Sequence, residues 1–238
     1  MIDRSTQRSV GYGQATAADI DAGLRKYMLG VYNYMFIAML ITGLVAFGAS
    51  LSEPLMATIY NTPLKFVVIF APLGVVIYLG AKIHSMSAAT AQIVFWIYAA
   101  LVGLSLSFIF IAYTKYSIIS TFFVTAIAFA SLSLIGYTTK KNLSGLGSFC
   151  YMGVIGIALA IIVNIFLQSP GMQFVISGVG VLAFAGLTAY DTQNIKLMYL
   201  ESDGHEVSQK KSLLGALRLY LDFLNMFSFL LYFLGERE

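Results

Sequence analysis

Seven long apolar runs separated by short polar breaks decide what this chain can fold into. They are Tyr27 to Ala49, Leu64 to Ile83, Ala88 to Ala112, Ser117 to Thr138, Gly147 to Leu167, Phe174 to Tyr199 and Leu213 to Leu234. Each reaches the roughly 20 residues that an α-helix needs to cross a hydrocarbon core. A helix satisfies its own backbone polar groups where no water is available, so the expected fold is an all-α membrane protein, a bundle of seven transmembrane helices. Pro72, inside the second run, is tolerable in such a helix when neighbours re-satisfy the backbone. Composition points the same way: 59% of the 238 residues are hydrophobic, 11% are charged and the mean hydropathy is +0.83. A soluble domain carries about 25% charged residues, so a water-soluble enzyme is excluded.

Residues 1 to 24 read as a polar tail with no short apolar core and no small-residue cleavage site, which argues against a removable signal peptide. Residues 25 to 238 then form the membrane domain. Threading seven spans from a cytosolic amino terminus puts Arg4, Arg8, Arg25, Lys26, Lys82, Lys140, Lys141, Lys196, Lys210, Lys211 and Arg218 on the inner side. Only Lys65, Lys115 and Arg237 fall outside. Positive residues in short loops are retained in the cytosol, so this asymmetry predicts an inside amino terminus. A re-entrant last segment would bring the carboxy terminus back to the same side.

The net charge of +3 does not imply nucleic acid, because the basic residues are scattered between apolar runs and form no dense stripe. One cysteine, Cys150, excludes a disulfide framework and a cysteine metal cage. Phosphate-loop, His-Glu-x-x-His and Gly-x-Ser-x-Gly motifs are missing, and no lysine lies deep in the last run to hold retinal. The Gly178-Val179-Gly180 segment lies within a span and reads as packing. Ser105, Ser107, Ser131 and Ser133 suit either a pore lining or hydrogen bonds between helices. The sequence identifies no protein partner and no resident cofactor.

Ionisable groups inside the spans carry the functional signal, since a charge at mid-bilayer costs at least about 2.5–3.5 kcal/mol on insertion scales. Among the acidic residues, only Asp191 and Asp222 fall within apolar runs. Counted from the cytosolic ends near Leu200 and Leu213, each lies about nine residues deep, roughly 13 Å. The sixth and seventh spans are joined by a short connection and are expected to be antiparallel neighbours, so the carboxylates can meet. Thr188 and Asn194 share the face of Asp191; Arg218 and Asn225 share that of Asp222, with Arg218 placed for an i,i+4 pair.

Two carboxylates in a low-dielectric site cannot readily both ionise; they share a proton and titrate as one unit. When both are ionised they offer hard oxygen ligands for Ca²⁺, aided by the carbonyls of Asn194 and Asn225. They fall short of the about six to eight oxygens of a storage site, which suits passage better than retention.

The strings Ala189-Tyr190-Asp191-Thr192-Gln193-Asn194-Ile195-Lys196 and Leu219-Tyr220-Leu221-Asp222-Phe223-Leu224-Asn225 resemble signatures of the Bax inhibitor-1 family, also called the transmembrane Bax inhibitor motif family. Tyr32-Asn33-Tyr34-Met35, Gly136 to Leu143 and Asn164-Ile165-Phe166 agree with it. The resemblance, which runs from about Arg25 to Leu234, implies a bacterial-type member in the plasma membrane. It also implies pH-dependent Ca²⁺ leak, with Asp191 and Asp222 matching the family's aspartyl dyad. The chain ends at Glu236-Arg237-Glu238 without the long basic tail of many eukaryotic members, so nothing attributed to that tail carries over.

The expected partners are therefore the lipid bilayer, Ca²⁺ and protons. Arg218, Lys82 and His84 are candidate gate residues, the last two only through tertiary contact. Two other readings remain. An intramembrane aspartyl protease also uses paired aspartates, although Leu219-Tyr220-Leu221-Asp222 lacks the Gly-x-Gly-Asp such enzymes resemble. A proton-coupled cation exchanger needs the same acidic pair.

Overall fold

A computed structural model describes residues 17–237, with side chains from residue 22 onward. Residues 1–16 of the expected polar tail lie outside that range. Nine helices follow one another in the described residues: α1 (Ala17–Ser50), α2 (Glu53–Tyr60), α3 (Leu64–Lys82), α4 (Ala88–Leu106), α5 (Ile109–Ala112), α6 (Lys115–Thr138), α7 (Ser144–Leu167), α8 (Pro170–Leu197) and α9 (His205–Leu234). Seven spans, with α4 and α5 together forming one, are long and apolar enough to cross a membrane.

Local chemistry sets the boundaries. Ser87, Thr114 and Ser169 cap α4, α6 and α8, each accepting a hydrogen bond from the backbone N–H three residues on. Gln168 ends α7 in the left-handed region, with φ 49°. Two stretches differ from the sequence expectation. The Pro54–Pro63 loop contains α2, which Pro54 starts by supplying a fixed φ in the first turn. The third run breaks at Ser107, whose hydroxyl donates to the Leu104 carbonyl at 2.7 Å and meets the Tyr60 hydroxyl at 3.2 Å.

The antiparallel pair α8 and α9 forms the middle of the bundle and buries the largest share of its residues. α7 packs on α8, α6 on both, and α1 and α4 on α9 and on each other; α3 packs against α4 at the periphery. The remaining apolar side chains, such as Leu44, Phe149 and Phe166, point outward as a lipid-facing helix requires.

Contacts between elements define the two ends of the bundle. At one end Lys210 Nζ donates to the Met86 carbonyl, Lys211 Nζ to that of Met198 and Lys196 Nζ to that of Tyr137. At the other, Thr114 N–H donates to the Glu236 carbonyl at 3.1 Å and Glu236 N–H to Ser117 Oγ at 3.0 Å. α9 therefore crosses the whole bundle, and no re-entrant segment returns the described carboxy-terminal residues. Arg25, Lys26, Lys82, Lys140, Lys141, Lys196, Lys210 and Lys211 gather at the first end; Lys65, Lys115 and Arg237 lie at the second.

Tyr220 ties three helices together. Thr42 gives its one hydroxyl proton to the Ala99 carbonyl at 2.9 Å, so the Tyr220 hydroxyl, 2.6 Å away, donates to Thr42. Phe95 and Tyr98 meet the Tyr220 ring edge-on at 5.8 and 5.9 Å. Tyr220→Phe keeps the ring and loses that bond, and should cost about 0.5–2 kcal/mol of stability in detergent unfolding. Tyr116→Phe, on the exposed surface, should cost nothing measurable.

Candidate functional site

The string Ala189 to Lys196 works as a three-sided joint, since successive helical residues point about 100° apart. Ala189 touches Gly136 of α6, and Tyr190 lies over Gly147 and against Tyr151 of α7 at 6.1 Å. Thr192 reaches Ser133 of α6 at 3.0 Å. Gln193 accepts from Leu143 N–H at 2.9 Å and donates to the Lys141 carbonyl at 2.8 Å, clamping the α6–α7 turn. Ile195 fills the space beside Gly215 of α9. Asp191, one turn before Ile195, shares that face and also points toward α9.

On α9, Leu219 and Tyr220 are fully buried, and Phe223 meets Phe122 and Phe129 of α6 edge-on at 5.6 Å. These contacts turn Asp222 toward α8. Asp191 and Asp222 are 3% and 4% exposed and approach one another across the α8–α9 contact. Asp191 Oδ1 and Asp222 Oδ2 are each left without a hydrogen-bond donor. The sequence-predicted pair is thus brought together in the bundle interior.

Arg218 enters differently from expectation. In place of an i,i+4 pair with Asp222, its Nη1 lies 4.0 Å from Asp191 Oδ1 across the helix interface. The antiparallel contacts Ile195–Gly215 and Phe184–Phe229 are consistent with this, because they set Asp191 opposite the stretch from Leu219 to Asp222 and so leave Arg218 within a turn of its level. The Arg218 side chain is 40% exposed, so the cation spans from the buried pair to a more open region. Tyr151 of α7, in edge contact with Tyr190, stands on the same side of α8 near Asp191. Sequence reasoning missed it; the one available signal was its helical spacing from Gly147, which lets the neighbouring Tyr190 pack close.

The other candidates fall elsewhere. Asn225 spends its amide on the Leu221 carbonyl at 2.8 Å, while Asn194 is half-buried one turn nearer the basic end. Thr188 donates to the Phe184 carbonyl. Lys82 and His84 are exposed at the end of α3, which packs on α2 and α4 rather than on the carboxylate pair. Among the serines, Ser133 bonds between helices, to Tyr32 at 2.6 Å and to Thr192, whereas Ser131 is exposed and bonds its own helix. Among the described residues no third acidic, histidine or cysteine side chain joins the two aspartates as a metal cluster.

Residues 24–238 match the family described as "Inhibitor of apoptosis-promoting Bax1". The chain belongs to the Bax inhibitor-1 family. Among family relatives, the inner membrane protein YbhL of Escherichia coli strain K12 is 46% identical over 91% of this chain and 94% of its own length. A protein of Rickettsia prowazekii is 46% identical over 92% of each, and one of Caulobacter vibrioides 44% identical over 96% of this chain and 98% of its own. Within this Bax inhibitor-1 chain, both aspartate-bearing strings and the joint they build lie inside the matched residues.

Proposed function

We propose that this Bax inhibitor-1 family protein is a pH-sensitive Ca²⁺ leak pathway of the bacterial inner membrane, gated by Asp191 and Asp222. One observation carries the reading: two buried carboxyl groups approach one another, each with an oxygen lacking a donor, beside one partly exposed guanidinium. With one shared proton the pair carries −1 and Arg218 +1, a neutral and therefore inexpensive closed state. Loss of the proton as pH rises leaves net −1, and release of Arg218 toward water leaves two anionic carboxylates for a divalent ion. Asn194 and Asn225 flank the pair one turn to either side along the path, where carbonyl oxygens can pass a partly hydrated ion on.

The basic end faces the cytosol in this reading, since loop lysines and arginines stay on that side, and the described carboxy-terminal residues lie outside. The location follows the name of the E. coli relative. In this reading Ca²⁺ is cargo and no catalytic step is needed; burial of Leu219 and Tyr220 beside Asp222 supports it over a protease site that must admit a peptide.

Proteoliposomes holding a Ca²⁺ indicator test the proposal. Flux should rise with pH as the shared proton leaves. Arg218→Gln removes the cation that favours proton loss, so the rise should begin at higher pH. Flux independent of pH in the unsubstituted protein would overturn the gate, and uphill Ca²⁺ movement driven by an imposed pH gradient would replace leak with exchange.

A further inference from the structure

A gap in the bundle lies between α1 and α6, which do not form a closely packed pair among the described residues. On α1, Arg25, Met28, Tyr32, Met35 and Met39 recur on one face; on α6, Tyr137, Ser133, Ala130 and Ala126 look back at them. Phe223 of α9 closes the bottom, leaving a cavity of about 680 Å³ at the basic end. A second cavity of about 370 Å³ continues it past Met39 toward Lys115 at the opposite end. Together they make a lateral trough along much of the bundle, open to the membrane.

We propose that the larger cavity is a phospholipid site, taking an acyl chain of an anionic phospholipid from the leaflet at the basic end, with its phosphate between Arg25 and Lys196. Charge selects the headgroup. Arg25 forms the rim, and Lys196 Nζ sits 2.8 Å from the Tyr137 carbonyl and 5.1 Å from its ring, beside the same mouth. A cytosolic-leaflet phosphate at such a place gains from each nearby cation. The interior selects a chain. Its one hydroxyl pair, Tyr32 and Ser133, is already bonded at 2.6 Å and demands no polar ligand. Three methionines supply flexible walls that follow an irregular hydrocarbon shape. A helix from a second copy fits less well, because close helix pairing wants small residues on both walls, and although α6 offers Ala126, Ala130 and Ser133, α1 presents methionine and tyrosine.

Native mass spectrometry of protein released from nanodiscs of mixed phosphatidylglycerol and phosphatidylcholine tests this. The unsubstituted protein should retain phosphatidylglycerol in preference to phosphatidylcholine. Arg25→Gln should reduce that preference about fivefold. Ala130→Trp, which fills the exposed trough without altering charge, should remove retention of both lipids. Equal retention of the two lipids, or retention unchanged in both variants, overturns the site. A dimer mass lost on Ala130→Trp would instead assign the trough to a second copy. Lys65→Gln, at the far end, should change nothing.

Discussion

Asp191→Asn combined with Asp222→Asn should reduce Ca²⁺ flux in proteoliposomes to that of protein-free vesicles and flatten its pH profile. The amides preserve size and shape but remove both anionic ligands from the interior. A unit charge pair 4 Å apart is worth about 4 kcal/mol at an effective dielectric of 20. Losing interactions of that order slows passage by about two to three powers of ten. Single substitutions should also abolish the pH response: Asp191→Asn leaves Asp222 facing Arg218 in a site that is neutral without any proton, so nothing remains to share. The fold should survive, since Arg218 is partly exposed and reaches water when its partner becomes an amide. Unfolding midpoints in detergent check that point. Flux retaining both its size and its pH dependence in the double variant would sink the gating proposal.

Much of this site was legible from two acids standing alone in apolar runs. Their rarity in lipid is an energetic fact, and equal distance from a shared polar connection follows from helix rise. The length of the connection is less legible. α8 stops at Leu197 and α9 begins at His205, because Lys211 can join Asp203 at 2.6 Å and the Met198 carbonyl at 3.0 Å, holding a shorter turn than hydropathy suggests. Hydropathy sees where lipid ends, whereas hydrogen bonding decides where a helix ends.

Arg218 shows a second limit. On an isolated helix its nearest acid is Asp222, four residues on; the observed partner is Asp191, because register between helices is set by distant contacts such as Gly180 against Phe229. Tyr151 and the α1–α6 trough were out of reach for the same reason. Both depend on which helices touch, and a seven-helix hydropathy pattern is compatible with many arrangements. The two aspartate strings nevertheless held the answer in part. Gln193, Thr192 and Lys196 all fix α6 or its turn to α8, so residues that look like an ion-binding motif spend most of their polar groups on building the joint that aims one carboxyl.

Gly136→Ala should be strongly damaging for so small a substitution. A Cβ there would run into the backbone of Ala189, carbonyl oxygen included, with no flexible side-chain tip to yield. α6 must then move away from α8. Overpacking of this kind costs about 1–3 kcal/mol, sometimes more, and a rigid backbone obstacle puts it at the upper end. Gly156→Ala is the matched control: nothing lies within 4 Å of the added carbon, and the loss of glycine's backbone freedom makes it neutral or slightly stabilising. Thermal unfolding in one detergent compares the two, and equal midpoints would refute the close approach of α6 and α8. The consequence reaches the proposed gate as well. Ala189 is two residues from Asp191, and the Ser133–Thr192 and Tyr137–Lys196 bonds lie within a turn of the collision. Separating α6 from α8 therefore loosens the helix that aims Asp191, so any Gly136→Ala protein that survives extraction should also lose the sharp pH response of Ca²⁺ flux while keeping both carboxylates.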